Sequence, residues 1–195
     1  DNGGDTGEDT GEDTGEDVIA QLLDAFIEPS RTYLVCERLT GGNLQDHLDA
    51  HLRGGRGRGL PPAAALAAAR RVLRALAVCH SRGVLHRDVK LENVMLAREG
   101  SAGSAKLIDF GLSDLMDDNG GCDGAVCGTP GYMAPEIVRP SGLLPASAGG
   151  WRSTGGLLVM ARFTPQSDTW AAGVCLLTLL TGSHPFGGAD LEAAV

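Results

Sequence analysis

Three observations predict an α+β fold. Two short apolar segments near the start are separated by a turn, Pro61 to Ser81 carries Ala-rich helical spacing, and two more apolar segments flank a polar loop near residue 100. With 195 residues and 43% apolar content, the chain is long enough for one domain with a core, which excludes a wholly disordered protein.

In chain order, residues 5 to 16 repeat Asp-Thr-Gly-Glu three times. Residues 1–17 hold eight acids and no base, too polar to offset their ordering entropy, and are expected to be disordered. A Ca²⁺ site is the rival, but the spacing lacks a loop ending in a bidentate Glu. Val18 to Phe26 and Thr32 to Glu37, around Glu28-Pro29-Ser30, read as a β-hairpin. A short helix is expected at Asn43 to Leu48, and the Arg-Gly tract 53–59 reads as a solvated loop rather than an RNA contact, since no aromatics interleave it.

Pro61 starts the clearest helix, with Leu66, Leu73, Leu76 and Cys79 or His80 as its apolar face. Arg70, Arg71 and Arg74 mark the wetter side, and Gly83 ends it. Asn93 to Leu96 and Lys106 to Asp109 read as a strand pair around loop 98–104, and Val174 to Leu180 as a buried helix. Between them, residues 141–162 read as an inserted segment without structure, a regulatory loop being the rival.

Of the net charge of -9, all but one unit resides in the first 17 residues; the remainder holds 17 acids against 16 Lys and Arg. Bulk charge therefore points to neither nucleic acid nor membrane, and the longest apolar run, near Ala171 to Leu180, is too short to span a bilayer. Five cysteines without Cys-x-x-Cys spacing fit reduced thiols in the cytoplasm or nucleus; a redox or metal role for Cys122 and Cys127 is the rival. With no signal peptide opening these residues, the expectation is an intracellular monomer with no membrane partner.

Three motifs carry chemistry, in this order: His86-Arg87-Asp88-Val89-Lys90-Leu91-Glu92-Asn93, Asp109-Phe110-Gly111 and Ala134-Pro135-Glu136. A carboxylate, a Lys and an amide at i, i+2 and i+5 of one tight loop can face a single point. Together the motifs resemble the protein kinase family, over about residues 18–140 and 163–195. The wording of Asp109 to Ser113 and Gly128 to Glu136 looks closest to calcium/calmodulin-dependent and related kinases.

The resemblance implies the helical large lobe of a kinase (40–195, with the insertion) under a small β remnant of the N-terminal lobe (18–39). It implies transfer of phosphate from ATP to protein or peptide Ser/Thr hydroxyls, Lys90 pointing to Ser/Thr rather than Tyr. Asp88 would take the hydroxyl proton, Lys90 touch the γ-phosphate, and Asn93 and Asp109 hold Mg²⁺. Cys36 would be the gatekeeper; Glu37, Leu39, Glu92 and Met95 would line the nucleotide site, and Leu22 would join the apolar column between lobes. Structural roles fall to His86 beneath Phe110, to Gly111, to Glu136, and to Asp168, which would brace the catalytic loop or else merely cap its helix.

No Ser, Thr or Tyr lies between Ser113 and Thr129, whereas Asp114, Asp117, Asp118 and Asp123 do. Arg87 is therefore expected to pair with one of these carboxylates, Asp123 being favoured, and Thr129 to bond Asp88 and Lys90. The sequence departs from the family in showing no Gly-rich loop, no Val-Ala-Ile-Lys strand and no helix carrying that lysine's Glu. Two rivals follow: a catalytically inactive docking module or fragment, and a small-molecule phosphotransferase, against which Arg87, Lys90 and the 134–136 motif speak.

Overall fold

In a computed structural model, residues 17–55, 57–138, 144–146, 150–152 and 160–186 are described. The acidic repeats 1–16 lie outside them. Asp17, expected to be disordered with the repeats, instead forms an ion pair with Arg71 at 2.6 Å.

Strands β1 (Leu22–Glu28) and β2 (Arg31–Cys36) form an antiparallel hairpin with a bulge between Leu22 and Asp24. The strand starts later than expected: Val18 is fully buried, and 18–20 run along Leu107 instead, with Leu107 N–H donating to Val18 O at 2.8 Å. Both faces of the hairpin are exposed. This corrects one expectation: Leu22 is 54% exposed rather than stacked in an apolar column, because no described element packs over the hairpin; Cys36, the expected gatekeeper, is exposed as well.

Helix α1 (Leu44–Arg53) follows Gly42 and outlasts the short helix expected. Asn43 caps it, its Oδ1 accepting Asp46 N–H at 2.8 Å, and Leu44 and Leu48, one turn apart, are its buried residues. Helix α2 (Pro62–Ser81) begins on Pro61-Pro62 and ends at Arg82-Gly83, Gly83 taking φ 72°. Its core face is Ala65, Ala68, Val72, Ala75, Leu76 and Cys79. Leu66 and Leu73, expected in the core, are exposed, while Arg71, expected wet, lies against Ala105 O and Asp17. Small side chains on the inner face let α2 approach its neighbours closely, which turns the larger leucines outward.

Strand β3 (Val84–Leu85) leads through a loop and a 3-10 turn at Leu91–Asn93 into β4 (Val94–Leu96), which pairs antiparallel with β5 (Ala105–Leu107). Strand β6 (Asp114–Leu115) pairs back onto β3. Strand β7 (Cys122–Ala125) is followed by the short helix α3 (Pro135–Val138), and β8 (Leu144–Ala146) pairs with β9 (Gly150–Arg152). Strand β10 (Met160–Phe163) returns antiparallel to β7, in register Arg162↔Asp123 and Phe163↔Cys122. Region 141–162 thus contains β8, β9 and most of β10, which corrects the expectation that it lacks structure.

Helix α4 (Pro165–Thr181) carries a capping box, Thr164 with Ser167, and ends on Gly182 in the left-handed region. Asp168 lies inside its first turn, so it is not the cap. One buried cluster joins Leu44, Leu48, Val72, Leu76, Leu96, Leu107 and Leu179; a second joins Leu85, Cys122, Ala134, Ile137, Ala161 and Phe163. The loop carrying His86 to Asn93 lies between them. The Arg-Gly tract is not simply solvated either: Leu60 N–H donates to Leu179 O at 2.7 Å, and a Cβ on Gly59 would stand 2.1 Å from Leu180 O. No helix among the described residues is long and apolar enough to cross a membrane.

Candidate active site

The loop between β3 and β4 is held from below by one carboxylate. Asp168, 2% exposed, accepts the backbone N–H of Arg87 on Oδ1 and that of His86 on Oδ2, both at 2.9 Å. The same Oδ2 lies 2.9 Å from His80 Nε2 on α2. Three donors around one buried carboxylate offset its desolvation. His80 was legible in the sequence only as a helix residue.

Above this support, His86 is fully buried, with its ring 4.9 Å from that of Phe110, edge to face. Nε2 lies 3.0 Å from Ile108 O, so Nε2 carries the proton, leaving Nδ1 to accept Asp88 N–H at 3.3 Å. Burial pushes the imidazole below its ordinary range; the Ile108 bond and the charges of Asp168, Asp88 and Asp109 oppose this only in part.

Asp88 is the point on which the loop converges. Its Oδ1 accepts the Thr129 hydroxyl at 2.7 Å, and its Oδ2 lies 2.9 Å from Lys90 Nζ and 3.0 Å from Asn93 Nδ2. Lys90 Nζ also donates to Thr129 Oγ1 at 2.8 Å, closing a ring of three side chains. Burial raises the Asp88 pKa, but Thr129, Lys90 and Asn93 outweigh it and hold the carboxyl below its usual range. Asn93 spends its Nδ2 on Asp88, bonding the backbone O at 2.8 Å as well, which leaves Oδ1 as its free acceptor end.

Asp109 follows β5 with φ 60°, and its Oδ1 accepts Gly111 N–H at 3.1 Å. A Cβ on Gly111 would stand 3.0 Å from that same oxygen. Ile108 N–H donates to Asn93 O at 3.0 Å, tying the Asp109 strand directly to the Asn93 turn. Asp109 is exposed, whereas Asn93 is 6% exposed. Among the described residues no three His, Cys, Asp or Glu side chains group closely enough to hold a metal ion.

Arg87, with φ 65°, corrects the expected pairing. Its guanidinium meets Asp114 at 3.2 Å and Leu112 O at 2.6 Å, and lies 5.3 Å from the centre of the Phe163 ring. Asp123 belongs instead to Arg162, at 3.3 Å, because β10 brings that arginine alongside it. Neither Asp114 as the partner nor Arg162 was singled out by the sequence.

The other candidate residues scatter around this centre. Glu37 receives Lys106 Nζ at 2.6 Å, and its N–H goes to Gln21 O at 2.9 Å. Leu39 and Met95 are half-buried, and Met95 bridges Asn43. Glu92 and Glu136 are exposed. A small cavity behind the loop is lined by Asp88, Cys127, Thr129, Met133, Phe163 and Ser167 among others. It lies on the side of the 122–137 segment; none of Cys36, Leu39, Met95 or Asp109 lines it.

The protein kinase domain model matches residues 12–194. The chain belongs to the protein kinase family. Among similar kinases are CBL-interacting protein kinase 4 of Oryza sativa subsp. japonica, 37% identical over 176 residues, and calcium-dependent protein kinase 8 of Arabidopsis thaliana, 35% over 168. The calcium/calmodulin-dependent protein kinase type II of Caenorhabditis briggsae is 33% identical over 172 residues. These alignments cover 89%, 86% and 88% of this chain but 33%, 26% and 27% of those kinases. The chain therefore spans a third or less of the length of these relatives.

Proposed function

We propose that this kinase domain transfers the γ-phosphoryl group of ATP to Ser or Thr hydroxyls of protein substrates. The observation carrying this reading is the Asp88 carboxylate, which Thr129, Lys90 and Asn93 hold ionised at one point. An ionised carboxylate can orient a hydroxyl and accept its proton as the oxygen attacks phosphorus. Lys90, already beside Asp88, supplies positive charge to the transferred group and confines the reacting hydroxyl to the same spot. The names of the relatives support protein Ser/Thr kinase chemistry rather than small-molecule phosphorylation.

Mg²⁺ fits the donors present. Hard oxygens are offered by Asn93 Oδ1 and the exposed Asp109 carboxylate, and so few protein ligands suit an ion that completes its shell with water and phosphate. Bound there, it would neutralise charge on the triphosphate. For adenine, Glu37 has its carbonyl to offer, its N–H being spent on Gln21, and the half-buried Leu39 and Met95 would supply apolar contact. We assign 18–39 to the small lobe and hinge, and 40–195 to the large lobe. Five free cysteines fit a reducing, cytoplasmic setting.

One observation favours the rival, a docking module without catalysis: both faces of β1 and β2 are exposed, so no described element roofs a nucleotide. Calorimetric titration with Mg-ATP separates the two. Micromolar binding, with phosphotransfer to a Ser/Thr peptide that falls by about 100-fold or more in Asp88→Asn, supports the enzyme. No binding supports the module.

A further inference from the structure

The segment between Phe110 and Thr129 holds no hydroxyl from Asp114 to Gly128, so phosphate cannot order it there. It is nonetheless built into the fold. Strand β10 pairs with β7 along four residues, from Met160↔Ala125 to Phe163↔Cys122. Arg162, from the region read as an unstructured insertion, takes Asp117 in a two-pronged bond, Nη1 to Oδ2 at 3.0 Å and Nη2 to Oδ1 at 2.9 Å. Its Nη1 also reaches Asp123 Oδ2 at 3.3 Å.

Asp117 in turn organises the bend, its Oδ1 accepting the N–H groups of Asn119 at 2.9 Å and Gly121 at 3.2 Å. The Arg162 bonds hold its carboxyl at about 2, so it stays ionised at any physiological pH. Space confirms the fit: a Cβ on Gly121 would come 2.7 Å from Phe163 O and 3.0 Å from the Arg162 guanidinium. The next residue along the strand, Phe163, is 3% exposed and lies under the Arg87 guanidinium, and a Cβ on Gly124 would stand 3.0 Å from Arg87 Nη1. Arg87 adjoins Asp88 in the chain. A continuous set of contacts thus runs from Arg162 through the 117–125 segment to the catalytic loop.

We propose that Arg162 is a positioning residue: clamped on Asp117 and Asp123, it fixes the 114–125 segment against β10 and thereby seats Arg87 without any phosphorylation. The effect on phosphotransfer rests on the kinase reading above; the effect on the segment does not. Because Arg162 is 37% exposed, the clamp is partly screened and weakens with salt. Lysine keeps the charge but cannot bond two carboxylate oxygens in parallel.

The test is hydrogen exchange of the full chain, followed at 112–127 and, for reference, in α2. Arg162→Ala is expected to speed exchange at 112–127 by about fivefold or more at low salt, the scale of a strong exposed ion-pair network, while α2 is unchanged. Arg162→Lys is expected to restore part of the protection, and high salt to bring wild type toward the alanine variant. Where phosphotransfer is measurable, Arg162→Ala lowers kcat and leaves the KM for ATP unchanged. Exchange at 112–127 equal to wild type in Arg162→Ala overturns the clamp, and so does a fall that α2 shares. A chain with the exchange effect but no phosphotransfer upholds the clamp on the segment and counts against the kinase reading alone.

Discussion

Asp168 holds Arg87 by its backbone, not its side chain: the carboxylate accepts Arg87 N–H at 2.9 Å, and Arg87 sits at φ 65°, a region costly for a residue with a Cβ. The strain persists because the same carboxylate also fixes His86 N–H and His80 Nε2, so the backbone turn is determined from three sides.

Removing that carboxylate orphans two backbone donors, one of them on a fully buried residue. Asp168→Ala should therefore lose about 3–5 kcal/mol of stability, the range for breaking a buried, hydrogen-bonded charge. Asp168→Asn should recover little, because its amide N–H would face a donor in place of an acceptor. Urea denaturation checks both; an Asn variant within 1 kcal/mol of wild type, on the order of a single ordinary hydrogen bond, would count against the bracing role.

Thr129 sets the charge of Asp88. Burial alone would raise this carboxyl, so its depressed pKa depends on the Thr129 hydroxyl first, then on Lys90 and Asn93. A depressed carboxylate contributes stability that is complete above its ordinary value of 3.8 and is lost as pH falls through the folded value. Thr129→Val should move the Asp88 titration upward and bring that loss to higher pH, while Thr129→Ser should leave it in place. Carbon NMR of the Asp88 carboxyl reads the shift directly, and the acid limb of kcat/KM should follow it.

His86 contributes with the same sign, though it is held neutral where Asp88 is held ionised. Its imidazole is held neutral by burial, below the ordinary 6.5. As pH falls below 6.5 the unfolded chain takes up a proton that the folded chain refuses, so stability drops until the folded value is reached. The slope can approach about 1.4 kcal/mol per pH unit for one proton. His184, also lowered by burial, adds a slope of the same sign. His86→Phe should be less stable at neutral pH, having lost the Ile108 bond, yet lose less on acidification than wild type. Urea midpoints between neutral and mildly acidic pH test the difference.

How legible this was depended on whether chemistry or packing decided the outcome. Asp88, Lys90 and Asn93 could be grouped from spacing, because a tight loop leaves few ways to arrange i, i+2 and i+5, whereas Thr129, 41 residues beyond Asp88, was reached only through the family resemblance. The core face of α2 could not be read by marking large apolar residues. Alanines at 65, 68 and 75 face inward while Leu66 and Leu73 face out, since helix approach distance, not hydrophobicity alone, selects the inner side. Likewise, four aspartates stood within reach of Arg87 in the sequence. Only the pairing of β10 with β7, brought together from distant segments, removes Asp123 and leaves Asp114.

The same limit applies to the Arg-Gly tract, where glycine matters for closeness rather than flexibility. Gly182 ends α4 at φ 73°, and a Cβ there would lie 1.5 Å from Arg58 O and 3.0 Å from a Leu52 methyl. Gly83 ends α2 at a nearly identical φ of 72°, but nothing lies within 4 Å of its Cβ position. Both alanine variants carry the left-handed penalty of about 1 kcal/mol, and Gly182→Ala adds an overpacking cost of about 1–3 kcal/mol. The backbone carbonyl of Arg58 cannot rotate aside as a side chain would, so the tract must part from the end of α4. Denaturation midpoints should thus fall by clearly more for Gly182→Ala than for Gly83→Ala; equal losses would mean that the tract does not pack there in solution.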